Sequence, residues 1–217
     1  MSVYPLSFSK LQTFEQCEQK YDYLYVSKTV RDAGNQYTDY GTRVHEALEK
    51  YAKGEASLPP ELARFRRLVD RILRASGEKR FEAKLAVDRR YQPTDWDSPD
   101  AYMRGIVDVL VIDGEKAYDL DWKTGKPKDD DRKLRLMSLL TFAHYPSVSL
   151  VDTMYVWLHH NQTSQGRYRR TEAPTMWNTF DLKATKVKTA VELGVFKARP
   201  SPLCGWCAAK GICPSAR

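Results

Sequence analysis

Apolar residues in the first eighty positions recur at helical spacing. "FSKLQTFEQCEQKYDYLYV" sets Leu11, Phe14 and the Tyr21, Leu24, Tyr25 group near one stripe, with Ser9 as the expected N-cap. "DYGTRVHEALEKYAKG" sets Val44, Ala47, Leu48 and Tyr51 on a second helix that ends at Gly54. "PPELARFRRLVDRILRASG" reads as a third, with proline at its start and Gly77 at its stop. The period then falls to two. "RFEAKLAVDRRY" puts Phe81, Ala83, Leu85 and Val87 on one strand face, and "GIVDVLVI" is apolar on both faces except at Asp108. Asp113–Gly114 reads as a tight hairpin turn, after which "KAYDLDWK" alternates again. "RKLRLMSLLTFAH" is expected to be a helix, "VDTMYVWLHH" and "GRYRRTEA" strands, and "PTMWNTFDLKATKVKTAVELGVF" a last helix. Helices, a three-strand meander, a helix, two strands and a helix predict an α/β or α+β domain around a central sheet.

Composition narrows this. The 217 residues show no repeat and no dividing linker, so one domain over 1–217 is expected. It comprises a helical part (1–80), a sheet core (81–174) and a C-terminal helix with a cysteine tail (175–217). Hydrophobic content of 42% and charged content of 29% suit a packed core rather than disorder. No apolar run reaches the roughly 18–20 residues of a membrane span. "MSVYPLSFSK" lacks the basic and apolar regions of a secretory signal. A cytoplasmic location is expected, that of the host if the chain is viral, with no membrane partner. Four cysteines there read as metal or cluster ligands rather than disulfides. The formal charge of +7 favours a polyanionic partner such as nucleic acid. Its basic clusters are Arg64, Arg66, Arg67, Arg71 and Arg74; Arg132, Lys133 and Arg135; and Arg167, Arg169 and Arg170. Each cluster taken alone also fits a solvated face.

Asp108 carries the most chemical information. A carboxylate inside an apolar strand costs several kcal/mol, in order of magnitude, unless it is paired, hydrogen-bonded or on a metal. A two-residue hairpin loop brings Asp108, Asp121 and Lys123 to one side of the sheet. Asp108 faces Asp119 if the loop is Asp113–Gly114, and faces Asp121 if it is Gly114–Glu115. Two carboxylates can bind Mg²⁺ or Mn²⁺, and a lysine can orient water or hold a developing oxyanion. A buried Asp–Lys pair without chemistry is the alternative. His45 lies at the edge of its helix stripe, and Glu82 is either a solvated edge residue or a further acid near the metal. "HEALE" is not the zinc-protease HExxH, and "KTGKP" lacks the rest of a phosphate-binding loop.

These residues together resemble the PD-(D/E)XK nuclease superfamily, in its RecB-like branch. "GTRVHEALE" is similar to the branch's G-x-x-x-H-x-x-x-E helix, "GIVDVL" to its G-x-x-D strand and "DLDWKTGK" to its D-x-K-T strand. "SKLQTFEQCEQKY" and "CGWCAAKGICP" resemble the cysteine-bearing ends of its iron–sulfur variant, which includes CRISPR-associated RecB-like exonucleases and the AddB-type subunit. The resemblance implies a restriction-endonuclease-like fold, a mixed sheet flanked by helices. It also implies metal-dependent cleavage of DNA ends or single strands in recombination, repair or CRISPR-type processing, with proteins of those processes as partners. It makes His45 a metal ligand, Asp108 and Asp121 the metal carboxylates and Lys123 the catalytic lysine. Where the family often carries Q-x-x-x-Y, this chain has Lys133 and Met137. A catalytically silent DNA-binding subunit on the same scaffold is the competing reading.

Cys204, Cys207 and Cys213 form C-x₂-C-x₅-C, three ligands where a closed site needs four. Cys17 is the remaining thiol and would tie the first helix to the tail. Spacing leaves zinc and iron–sulfur both open. The resemblance favours a 4Fe–4S cluster with a structural role.

Overall fold

A computed structural model describes residues 3–32, 34 and 36–215. Its centre is a six-stranded mixed sheet of β1 (Glu78–Val87), β2 (Pro93–Thr94), β3 (Met103–Asp113), β4 (Lys116–Lys123), β5 (Leu150–Trp157) and β6 (Gln162–Arg169). The order across it is β2-β1-β3-β4-β5-β6. β1, β3 and β4 form the antiparallel meander read from the sequence, β4 and β5 run parallel, and β6 returns antiparallel at the edge. The parallel step is made by α5 (Arg132–His144), which crosses from β4 to β5 and is buried nearly all round.

The remaining helices are α1 (Phe8–Gln16), α2 (Glu18–Tyr21), α3 (Gln36–Ala52), α4 (Arg66–Arg74) and α6 (Ala173–Leu193). Leu11 and Phe14 of α1, Tyr21 of α2, the buried face of α5 and Trp177, Phe180 and Val187 of α6 cover one face of the sheet. Val44 and Leu48 of α3 and Val69 of α4 cover the other, against Val109, Val111, Leu120 and Trp122. This is an α/β fold of the restriction-endonuclease-like kind, with helices on both sides of a mixed sheet.

Three local expectations change. The N-cap of α1 is Ser7 rather than Ser9, because Ser7 is extended and its hydroxyl accepts from the Lys10 N–H. The first helix is also broken at Cys17, whose backbone is extended, and resumes through α2 into a π-helical turn at Asp22–Val26. α4 stops at Arg74, and Gly77 serves the turn into β1. Its φ is +96°, and a Cβ there would lie 2.3 Å from the Ile112 carbonyl oxygen.

The hairpin loop is Gly114–Glu115, closed by the Asp113–Lys116 pair; of the two registers this is the one that runs toward Asp108 and Asp121, although the pairing itself stops at Val109–Leu120. Within the sheet, the phase of the side chains reverses. Ala83, Leu85 and Val87 on β1, and Met103 and Val107 on β3, face α5. Phe81, Val109 and Val111 face α3 and α4. The reversal falls at Glu82 and Asp108, the one rung the β1–β3 pairing skips, between Phe81–Val109 and Ala83–Val107. Glu82 has φ +49°, and one left-handed residue turns the strand's alternation over. Phe81 therefore does not share a face with Ala83, as strict alternation predicts.

Candidate metal centre

The site lies where β3 and β4 part. Their ladder ends at Val109–Leu120, so Asp108 has no ladder partner on β4, and its carboxylate drops into the seam. There its Oδ2 accepts from the Trp122 N–H at 2.7 Å. From the α3 side His45 enters, with Nδ1 3.2 Å from that same oxygen and 3.9 Å from Glu82 Oε1. One ligand atom from each of His45, Glu82 and Asp108 lies within 4.8 Å of the other two.

The histidine tautomer follows from its other nitrogen. Nε2 is 3.0 Å from the Trp122 carbonyl oxygen, which can only accept. Nε2 therefore carries a proton, and in the neutral ring Nδ1 presents a lone pair toward two carboxylates. Such an arrangement repels unless a proton or a cation lies between. Burial disfavours charge on His45, but Glu82, Asp108 and Asp121 together outweigh it and raise its pKa. A ligating histidine whose second nitrogen donates to a backbone carbonyl is the usual support for a metal. The donor set of one imidazole nitrogen and carboxylate oxygens suits Mg²⁺ or Mn²⁺, the nitrogen favouring Mn²⁺.

Asp121 lies on the α5 side of β4 and is 3% exposed. One of its oxygens contacts the Lys133 ammonium of α5 and the other that of Lys123, and the second has no aligned hydrogen-bond donor. Burial would raise its pKa, but the two lysines outweigh that and hold it low. Asp108 moves the other way. Burial and the negative charge of Asp121 push it up to about 7, against the pull of Lys133 and His45. The two carboxylates shift in opposite directions because the lysines lie on Asp121 while Asp108 is buried beside its charge. Burial lowers the pKa of Lys123 despite Asp121. Lys133 is raised, since Asp121 and Asp108 outweigh its burial.

The basic residues read as DNA contacts have other partners. Lys133 points to Asp121, a role the alternation pattern could not reveal because it comes from a different element. Arg132 binds Asp130 and Glu15, Arg135 binds Asp131, and Arg167 on the edge strand β6 binds Asp152. Arg169 is exposed at the end of β6. Arg170 is not a free phosphate ligand: its guanidinium donates to the carbonyls of Val148, Phe142 and Tyr145 at the end of α5. Met137 is core, under Gly105.

At the far end of α1 the four cysteines line one cavity of about 240 Å³ with Lys20, Tyr23 and Arg199. The Arg199 N–H points at Cys17 Sγ (3.5 Å) and the Ser201 N–H at Cys204 Sγ (3.3 Å). Among the described residues no three cysteine sulfurs lie within 4.8 Å of one another. Glu15 joins this end to α5 and α6. Its carboxylate takes Arg132 and Lys183, and its carbonyl oxygen accepts from Arg199 at 2.6 Å.

Over residues 5–214 the sequence matches the PD-(D/E)XK nuclease superfamily. No curated protein matches it in sequence. Among solved structures, a candidate exonuclease from Eubacterium rectale is 12% identical, with 93% of this chain and 86% of that one covered at a TM-score of 0.54. The protein SSO0001 is also 12% identical, covering 100% of this chain and 89% of its own at a TM-score of 0.46.

Proposed function

We propose, from the premise that this chain belongs to the PD-(D/E)XK nuclease superfamily, that it hydrolyses DNA phosphodiesters as a Mg²⁺- or Mn²⁺-dependent exonuclease on ends or single strands. The observation that carries this is the tautomer-fixed His45 Nδ1 set against Asp108 and Glu82, beside a buried Asp121 flanked by two lysines. Recombination, repair or CRISPR-type processing is the setting that fits such an enzyme. An exonuclease mode accords with the name of the E. rectale neighbour.

His45, Asp108 and Glu82 would hold the ion, with Asp121 joining them where the metal displaces one of its two lysines; when bound, the ion supplies Lewis acidity toward the scissile phosphate. Trp122 holds His45 through its carbonyl and Asp108 through its N–H, so one backbone unit orients two ligands. Lys123, poised on Asp121, donates a hydrogen bond to the attacking water or to charge gathering on the phosphoryl oxygens. Lys133 balances the acidic cluster and keeps Asp121 ionised. Burial of these groups makes each charge–charge contact stronger than in water.

For the cysteine cavity the proposed occupant is a 4Fe–4S cluster. The four cysteines line one cavity, and two of their sulfurs face backbone N–H groups, as thiolate ligands of one shared group would.

The test is digestion of end-labelled linear DNA against closed circles, with Mg²⁺ or Mn²⁺. Wild type should degrade linear DNA, and Asp121→Ala and Lys123→Ala should lose activity while keeping the wild-type circular dichroism spectrum. Equal degradation by these variants rejects the site. Salt-sensitive binding without cleavage under either metal would establish the silent DNA-binding subunit instead. Anaerobic purification with iron, sulfide and zinc analysis decides the cluster.

A further inference from the structure

An aromatic and cationic cluster joins the start of α3 to the segment that follows β5. Tyr40 on α3 stacks with His159, ring centroids 5.5 Å apart at an interplanar angle of 29°. The Arg43 guanidinium lies 6.0 Å from the Tyr40 ring centroid, and Arg64 Nη2 is 3.1 Å from His159 Nδ1. Arg43, Arg64 and His159 are exposed and Tyr40 is half-buried.

Both halves of the cluster are tied to catalytic elements. Tyr40 is five residues before His45 on one helix, about 7.5 Å along its axis and about 140° around it. His159 follows Leu158, whose N–H donates to the Lys123 carbonyl at 2.9 Å. α3 passes close to Thr124 at Gly41, where a Cβ would lie 3.4 Å from Thr124 Oγ1. The exposed Lys126 and Lys128 follow in the same loop.

We infer that Tyr40, Arg43, Arg64 and His159 form a stacking platform for single-stranded DNA, holding the nucleotides next to the scissile bond; the inference rests on the nuclease reading. Arginine can only donate, so Nδ1 of His159 is the acceptor in its contact with Arg64. The ring, backed by Tyr40, offers one face to a base. Arg43 and Arg64 supply charge for the flanking phosphates. Stacking of this kind tolerates any base and prefers unpaired ones, because a paired base has no free face.

The test measures fluorescence anisotropy of a labelled oligodeoxythymidylate and of a blunt duplex with purified protein in EDTA, where no metal permits turnover. His159→Ala and Tyr40→Leu should weaken oligonucleotide binding about tenfold and duplex binding much less, while His159→Phe keeps most of the affinity. Arg43→Ala and Arg64→Ala should each reduce the salt slope on the single strand by about 0.7. Unchanged oligonucleotide affinity in the folded alanine variants overturns the platform, as does equal loss on both DNAs. Linear DNA cleaved by a protein whose platform variants bind normally removes the platform and keeps the nuclease. The expected losses in a protein that cleaves nothing keep the platform and remove the nuclease.

Discussion

Asp119→Asn tests how far the environment of the sheet controls ionisation. Asp119 lies on β4, 1% exposed, and among the described residues only the Thr141 hydroxyl of α5 donates to its carboxylate. Burial pushes its pKa up to about 7, and the Thr141 hydrogen bond offsets only part of that. In the unfolded chain the value is about 3.9. The folded protein therefore holds the proton more tightly, and the stability this contributes is fully present below about pH 4. It is lost as pH rises through 7. About two of the three shifted units lie between pH 5 and pH 8, which corresponds to roughly 3 kcal/mol. Asparagine has the same shape and cannot ionise. In urea unfolding, the stability of Asp119→Asn relative to wild type should therefore rise by roughly 3 kcal/mol from pH 5 to pH 8. In thermal melts this appears as about 2–4 °C per kcal/mol for a chain of this length. A difference that is the same at both pH values would refute the argument, because it would mean that Asp119 ionises in the fold as it does in water.

Other perturbations separate packing, strain and charge. Gly77→Ala should destabilise more than Gly105→Ala in the same melts. The first drives a Cβ into the Ile112 carbonyl at positive φ, whereas the second meets the flexible end of Met137 and should cost about 1–3 kcal/mol. Glu82→Gly relieves a left-handed backbone and should leave the metal-free protein as stable as wild type, or up to about 1 kcal/mol more so, while Mn²⁺ titration shows weaker binding. Lys133→Met removes one counter-charge from buried Asp121 and should lower metal-free stability by about 3–5 kcal/mol. Mn²⁺ should restore more of that loss in the variant than it adds to wild type, as read by thermal shift; equal shifts would contradict the pairing.

Much of this was legible in the sequence. The meander and the crossover helix with its bounds follow from hydrophobic period, and the apolar run of β3 makes Asp108 conspicuous; the short β2 does not, and β6 runs Gln162–Arg169, four residues earlier than "GRYRRTEA" reads, because its exposed polar residues carry no apolar alternation. The hairpin left two registers open, because either pair of central residues makes a short turn. Coordinates choose Gly114–Glu115, with Gly114 at φ +62°. The phase reversal at Glu82 was invisible, since a strand pattern assumes one alternation from end to end and glutamate gives no sign of a left-handed backbone. Lys133 was seen as a basic residue but not as a partner of Asp121, because charge clusters in a sequence carry no information about which buried group they meet. The same holds for Arg170, which reads as one of three surface arginines and instead gathers three carbonyls.

The inversion of side-chain phase at Glu82 and Asp108 also bears on anyone who would graft this centre onto another protein. Copying four or five side chains onto a regular sheet would scatter them, because uniform pleating aims Asp108 at one helix layer and denies it the other. What must be transplanted is the discontinuity itself: two adjoining strands that change handedness of presentation at the same rung, with a third departing just beyond. In that sense the chemistry is specified by a defect in the lattice of the sheet, and the residues occupy a position that an ideal sheet does not possess.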